Sequence, residues 1–597
     1  MGFGKSLPHA RCEVTKRETM YLEKINSPSD LKNLSTEQMT VLAREIREDL
    51  IYRISQTGGH LGSNMGIVEL TIAIHHVFDT PKDKVVFDVS HQVYIHKMLT
   101  GRRELQDFAG YANPDESEYD MFKTGHTSTS ISLACGLAKA RDILGTKENV
   151  IAVIGDGSLD GGESFEGLNY GGELGTGLIV IVNDNDMSIS ENHGYLHTHL
   201  AYLRNHNGKS ENNYFKALGY DYVFINDGNN IAKLTEALRK VKGTDHPVVV
   251  HVCTQKGKGF KPAEEDRENW HWAKPFDKET GEFKNKAVKP GYASVTADYL
   301  LEKMKKDSKL VVVTSASPTC IGFNRENREK AGSQFVDLGI CEQNAVSFTA
   351  ALARGGCKAV YATNSTFIQR AYDQKEQEMC LGKCPMTLIV THGSVYGHWN
   401  DVQSGLLDIV LLSNIPHLTY LAPTNAQEYL AMLGWSLEQN KLPIAIRVPG
   451  QAIFSNFENL DSDYSDPRFL VKQKGKKVAV IALGGFFSLG EETVQLYEET
   501  TGEKATLINP RFIGCDAKAL EELKKDHSVV VTVEDGILSG GFGEKIAAYY
   551  ANSSMRVLCY GFGPDIPVRY NPKELMEQNR LTPSCIVEDI QSALAVI

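Results

Sequence analysis

The chain has 597 residues, 42% apolar and 23% charged, with 63 Lys and Arg against 75 Asp and Glu for a net charge of −12. That ordinary globular usage excludes a mainly disordered, collagenous or disulfide-stapled protein, and the acidic balance excludes a chain-wide basic footprint for nucleic acid. No apolar run approaches the roughly 18 residues of a membrane span, and eleven scattered Cys suit a reducing, cytoplasmic setting better than a disulfide framework.

The leader MGFGKSLPHARCEVTKRET has no apolar segment of signal-peptide type and reads as a flexible lead-in, with Met20 as an alternative start. A periodic stretch opened by Ser35, with Gln38 placed for a capping box, predicts a helix over 36–57. β-Branched runs follow at Val85–Val89, Val150–Ile154, Leu178–Val182 and Pro247–Val252, separated by helix-like segments. The alternation predicts a parallel sheet covered on both faces within a first domain, 20–285. Its end, Lys256–Lys289, is polar and reads as a long connection carrying the cluster Trp270-His271-Trp272.

The pattern restarts over 290–455, with strands expected at Leu310–Thr314, Phe335–Leu338, Ala359–Ala362, Met386–Val390 and Ile444–Val448. An acidic linker at 456–469 leads to a third domain, 470–597, with strands near Val478–Ile481, Ala505–Ile508, Val529–Val533 and Arg556–Tyr560. The fold class expected is therefore α/β, three doubly wound domains with mainly parallel sheets.

The first chemical signal is Gly155-Asp156-Gly157-Ser158, followed by Asn183-Asp184-Asn185. A strand, a helix and a second strand fit between Asp156 and Asn185, so both would emerge at carboxyl ends of parallel strands, where open α/β sheets bind ligands. A carboxylate and an amide oxygen are hard ligands suited to Mg²⁺. Gly157 lets backbone approach a phosphate, and a helix starting near Gly161–Ser164 offers free N–H groups to it. Taken alone, Gly-Asp-Gly is a plain strand-to-helix turn; the matched Asn after a second strand favours a diphosphate and metal site. His75, His76 and His251 stand outside any motif and read as core or capping histidines.

Further strings narrow the reading. They are Gly59-His60-Leu61-Gly62-Ser63-Asn64-Met65-Gly66, Asp88-Val89-Ser90-His91-Gln92, Gly125-His126-Thr127-Ser128-Thr129-Ser130, Met187-Ser188-Ile189-Ser190, and Ser365-Thr366-Phe367 with Gln369-Arg370-Ala371-Tyr372-Asp373-Gln374. Together with the Asp156–Asn185 spacing, they resemble the thiamine-diphosphate-dependent transketolase superfamily, and within it the 1-deoxy-D-xylulose-5-phosphate synthases. The likeness covers nearly all of the chain after residue 20.

The resemblance implies a transketolase-like fold and a carboligase using thiamine diphosphate and Mg²⁺. Asp156, Asn185 and the carbonyl of Met187 would bind the metal. Ser63, His91, Gly125, His126, Thr127, Gly157, Ser158 and Asn185 would hold the cofactor, with Lys256 on the diphosphate side and Phe260 at the pocket rim. Glu342, in Asp337-Leu338-Gly339-Ile340-Cys341-Glu342-Gln343, would be the activating acid beside the pyrimidine ring, and Phe367 would stack on that ring. An acid in that role is buried and has a raised pKa. His60 and, less directly, His271 are candidates for proton transfer. The partners implied are small molecules, a pyruvate or ketose donor and an aldehyde acceptor, and a second copy of the chain in a homodimer. Nucleic acid and membrane are not expected partners.

The resemblance breaks at the acceptor end. An Arg expected after the fourth strand of the second domain is His392, an Asp and a His of the acceptor pocket align with Trp399 and Gln403, and a Tyr before Ser-Thr-Phe is Asn364. A second Arg is missing at Val448-Pro449-Gly450, and the stretch between Asn192 and Val248 is shorter than in the synthases. Arg370, His392, Trp399 and Gln403 are the substrate-side candidates that remain. The acceptor expected is D-glyceraldehyde 3-phosphate or a related aldehyde, with or without a phosphate; a ketol transfer between sugars, or a non-catalytic homologue, is the alternative.

Overall fold

The computed structural model describes residues 21–103, 110–284, 291–451, 453 and 460–596. The expected boundaries at 20, 285, 290, 455 and 597 fall outside the described residues, and so does Met20. The fold is α/β, built on three sheets.

In the first sheet β1 (Lys84–Phe87), β2 (Val150–Gly155), β3 (Ile179–Asp184), β4 (Asp221–Ile225) and β5 (Val248–Cys253) lie in the order β1-β2-β3-β5-β4, every pair parallel. The central strands are buried throughout, the signature of a sheet covered on both faces. Separate apolar clusters fill the two faces, one around Leu50, Ile72 and Val250 and the other around Ile131, Val180 and Leu200. The first long helix runs Thr36–Thr57 with the Ser35/Gln38 capping box formed. His75, His76 and His251 sit in this core, bonded to Thr80 and His96, to Leu31 O and to Asp184 respectively.

The second sheet contains β6 (Leu310–Thr314), β7 (Phe335–Asp337), β8 (Lys358–Asn364), β9 (Thr387–Gly393), β10 (Thr419–Leu421) and β11 (Ile444–Pro449), in the order β10-β11-β9-β8-β6-β7 and again all parallel. The third contains β12 (Leu470–Gln473), β13 (Lys477–Ala482), β14 (Thr506–Asn509), β15 (His527–Ile537) and β16 (Arg556–Phe562), in the order β12-β14-β13-β15-β16, with only β12 antiparallel. One apolar cluster runs from Val313 and Leu388 of the second sheet to Ile481 and Val530 of the third, so these two share a continuous core.

The polar connection after Lys256 is not a free linker. Residues 256–273 fold back on the turn and short helix that follow Thr57: Gly59 and Ala273 exchange both backbone hydrogen bonds, and Gly62 N donates to Trp270 O at 2.9 Å. Trp270 is buried against Phe260, Phe276 and Phe283. Among the described residues no helix is long and apolar enough to cross a membrane.

Candidate active site

The carboxyl ends of β2 and β3 deliver Asp156 and Asn185 to one place. Asp156 is buried, and its Oδ2 accepts from Met187 N at 3.1 Å and from Asn192 Nδ2 at 2.9 Å. Burial, with the nearby Asp184 charge adding to it, pushes the Asp156 pKa up to about 7. Asn185 Oδ1, Asn192 Oδ1 and Ser188 Oγ are out of solvent with no hydrogen-bond partner. Orphaned buried oxygens of this kind call for an explanation. A carboxylate facing them forms a donor set that fits a small hard cation. Gly157 packs so closely on Ser188 that an added Cβ would lie 2.6 Å from its Oγ, so only glycine keeps this turn. The Lys256 ammonium donates to Ser188 O, and burial lowers its pKa to about 7.

Three imidazoles gather beside this turn. The rings of His60 and His91 are 5.1 Å apart, His60 and His271 5.6 Å, and His91 and His271 5.2 Å. Asn64 fixes two of them: its Nδ2 donates to His60 O at 2.7 Å and to His91 O at 2.9 Å. His91 Nδ1, His271 Nδ1 and Ser63 Oγ are again buried without partners. Burial lowers the His60 pKa to about 4 and holds those of His91 and His271 well below the usual imidazole range, so all three are neutral near pH 7. Val89 and Ser90, just before His91, carry φ of 57° and 65°, held by Asp88, which accepts from Ser128 N and Ser130 N. Left-handed backbone at non-glycine residues is a mark of functional sites.

The second sheet supplies the opposite wall. Glu342 opens the helix Glu342–Arg354 just beyond β7 and is 3% exposed. Its Oε2 has no hydrogen-bond partner, and the nearest guanidinium, Arg370 Nη1, stands 3.6 Å away. Burial outweighs that charge and raises the Glu342 pKa. Arg370 donates to Thr127 Oγ1 at 2.8 Å and to Thr127 O at 2.5 Å. His126 Nε2 meets Thr366 Oγ1 at 2.9 Å, and its ring stands edge-on to Phe367 at 5.4 Å. Gln403 Nε2 donates to Gly125 O at 3.0 Å while its Oε1 accepts from Tyr111 OH at 2.8 Å. Gly339 abuts Asp160, four residues after Asp156, with no room for a Cβ between them.

One chain thus brings residues 125–127 and Asp160 on the first sheet's side against Gly339, Thr366, Phe367, Arg370 and Gln403 on the second's, with Glu342 beside Arg370. His392 and His398 stack at 5.2 Å within the loop that carries Gln403. Phe260 lies apart in the aromatic cluster around Trp270, 8% exposed. Trp399 is 59% exposed and touches the third sheet's chain through its backbone, accepting from Tyr570 N at 3.3 Å. Asn64, Asn192, Tyr111, Thr366 and Tyr570 enter the site without having been singled out from sequence. Asn64 and Thr366 lie inside the strings quoted above; Tyr111 and Tyr570 sit in loops with no pattern to mark them.

Comparison with known proteins agrees along the chain. The family model "1-deoxy-D-xylulose-5-phosphate synthase" matches residues 22–214 and 205–254, "Transketolase, pyrimidine binding domain" matches 289–455, and "Transketolase, C-terminal domain" matches 468–586. A 1-deoxy-D-xylulose-5-phosphate synthase of Heliobacterium modesticaldum is 38% identical over 88% of this chain and 88% of its own. One of Shouchella clausii is 36% identical over 96% of this chain and 99% of its own. A solved transketolase of Campylobacter jejuni is 17% identical over 93% of this chain and 99% of its own, with a TM-score of 0.42.

Proposed function

The chain belongs to the 1-deoxy-D-xylulose-5-phosphate synthase family, and from that premise we propose that it is a thiamine-diphosphate-dependent carboligase. It decarboxylates pyruvate and joins the remaining two-carbon unit to an aldehyde, D-glyceraldehyde 3-phosphate or a related acceptor. The bond between the keto carbon and the carboxylate carbon breaks and CO₂ leaves. The freed electron pair forms the new bond to the aldehyde carbon, whose oxygen takes a proton.

The observation that carries this reading is the buried, unpartnered Oε2 of Glu342, three residues after Gly339, which abuts Asp160 of the turn that begins at Asp156. Thiamine diphosphate, when bound, supplies the carbon nucleophile and the electron sink. This chain's residues do the rest. Asp156, Asn185 and the Met187 carbonyl would hold Mg²⁺ and, through it, the diphosphate, with Gly157 and Ser158 alongside and Lys256 adding charge. Glu342, its pKa raised by burial, would share its proton with the pyrimidine nitrogen, and Phe367 and His126 would bound that ring. His60 is neutral, so it can take or return a proton at a substrate oxygen, with His91 and His271 fixing its surroundings.

The reading includes three domains, 20–285, 290–455 and 470–597, supported by the three separate sheets and by the spans of the family models. It also includes a cytoplasmic homodimer. Ile143, Leu144, Phe348 and Leu381 are exposed apolar side chains that a second copy could cover.

The test is CO₂ release from pyruvate by the protein reconstituted with thiamine diphosphate and Mg²⁺, with and without added aldehydes. Release that rises with an aldehyde is expected. Ketose cleavage with no release from pyruvate under any condition would replace this reading with a ketol transferase.

A further inference from the structure

A phosphorylated aldehyde and an uncharged one ask opposite things of a pocket. A phosphate dianion only accepts hydrogen bonds and is gripped best by guanidinium or ammonium groups. A hydroxyl can donate, and a neutral imidazole can receive it.

The acceptor end of this site is built on His392, at the carboxyl end of β9 with a left-handed φ of 56°. Its Nδ1 lies 3.1 Å from Thr391 Oγ1. That hydroxyl has one proton and two acceptors beside it, Asn364 Oδ1 at 2.8 Å and Thr363 O at 3.2 Å. Thr391 therefore receives the hydrogen bond from His392 Nδ1–H, and the lone pair is left on Nε2. The ring stacks on His398 with an interplanar angle of 17°, and His398 Nε2 is out of solvent without a partner. Burial lowers the His392 pKa to about 4 and that of His398 to about 3, so neither ring carries charge near neutrality.

Four cations of the flanking segments are committed elsewhere, and a fifth, Arg569 beside Tyr570, is exposed with its guanidinium near Gly110. Arg370 holds Thr127. Arg447 is buried between Asp408 at 2.7 Å and Asp535 at 2.5 Å. Lys375 donates to Ile368 O, and Lys123 pairs with Asp401 at 2.5 Å. Nor can a long side chain enter from the end of β11. A Cβ at Gly450 would fall 2.8 Å from Gly397 Cα and closer still to Tyr396 O, and Gly397 and Gly405 are pressed in the same way onto the backbone at His392 and Ser394. The closed loop is then pinned from the third sheet's side, where Tyr570 OH donates to His398 O at 2.6 Å.

We infer that the acceptor of this chain is an uncharged hydroxyaldehyde, held by a hydroxyl that donates to His392 Nε2, and that a phosphorylated aldehyde is disfavoured. The inference rests on the carboligase reading and narrows its substrate class.

The experiment compares D-glyceraldehyde with D-glyceraldehyde 3-phosphate as acceptor for pyruvate on the cofactor-loaded protein. The ratio of kcat/KM should favour the unphosphorylated aldehyde by about tenfold or more, and His392→Arg should move that ratio about tenfold or more toward the phosphate ester. An equal or higher kcat/KM for the phosphate ester in the unmodified protein overturns the inference. A calorimetric titration with glycerol 3-phosphate needs no turnover and reads the same question separately. Absence of saturable binding up to millimolar concentration supports the inference, and saturable binding overturns it. Loss of that binding in Arg569→Ala would assign the phosphate to the exposed Arg569 near Gly110. If pyruvate is not consumed with either aldehyde, the carboligase reading fails, and the titration still decides whether this pocket takes a phosphate.

Discussion

Arg370 stands with its Nη1 3.6 Å from the Glu342 carboxylate yet gives its hydrogen bonds to Thr127. The guanidinium latches the two walls of the site together without neutralising the acid between them. Burial therefore prevails over the neighbouring charge, and Glu342 keeps its proton to higher pH than an ordinary glutamate.

Replacing Glu342 by Gln or Ala should lower turnover by roughly 10²–10³-fold, the scale of losing one preorganised group at a reacting centre. Mg²⁺ and diphosphate binding should persist, because Asp156 and Asn185 are untouched. Calorimetry of cofactor binding alongside CO₂ release separates the two. Unchanged activity in Glu342→Gln would remove this residue from the mechanism.

The same group sets a stability signature. Its folded pKa is raised, so its contribution is fully present below the ordinary glutamate range and is lost as pH rises through the folded value. Thermal unfolding of the cofactor-free protein at pH 5 and pH 8 should show the wild type losing stability relative to Glu342→Gln as pH rises. A parallel pH course for the two proteins would mean that Glu342 is not buried as an acid.

Asp156, with a pKa of about 7 before metal binds, must give up its proton to become a ligand. Apparent Mg²⁺ affinity in the presence of thiamine diphosphate should fall by about tenfold per pH unit below pH 7 and level off above it. Titrations in two buffers of different ionisation enthalpy would reveal the released proton, and Asp156→Asn should abolish the pH dependence together with most of the affinity.

Much of this was legible in the chain because the central strands are continuous β-branched runs and the helix 36–57 announces itself with Ser35 and Gln38. The strands left unread are edge strands that are short or partly exposed: Asp221–Ile225 starts on an exposed Asp, Thr419–Leu421 has three residues, and antiparallel Leu470–Gln473 exposes its two central side chains. The ligand turn was visible because its chemistry is local, two oxygen donors each at a strand end. His271 was named from its aromatic cluster, but its neighbours were not legible, because the polar stretch returns to Gly59 and Gly62 by backbone pairing. The His392 tautomer was beyond any pattern, since it depends on Thr391, Asn364 and Thr363 meeting in space.

Arg447 ties the second sheet to the third. It is fully buried, bonded to Asp408 on one side and to Asp535 on the other, with Tyr420 OH completing the Asp408 shell at 2.5 Å. Arg447→Ala leaves two carboxylates buried without their cation and should cost about 3–5 kcal/mol. The loss should appear in chemical denaturation as an earlier transition of the second and third sheets, with the first sheet's transition unmoved. Arg447→Met with Asp408→Leu should recover part of it, because one carboxylate, Asp535, is then left buried without its cation instead of two.

Tyr570 reaches the acceptor loop from the third sheet's chain, its OH donating to His398 O at 2.6 Å and its N to Trp399 O at 3.3 Å. Only the first of these bonds is lost in Tyr570→Phe, and the ring stays. A purely structural role predicts a small fall in stability and unchanged kinetics. Positioning of His398 predicts more, because the imidazole pair then loses one of its two outside supports while the Glu342 wall keeps all of its own. The KM for the aldehyde should rise by about three- to tenfold, the weight of one buried hydrogen bond of about 1 kcal/mol. Single-turnover CO₂ release from pyruvate before the aldehyde is added should stay the same, since the bonds Tyr570 makes go to His398 and Trp399 of the acceptor loop. If both steps slow together, the third sheet acts on the whole site and not on its acceptor end.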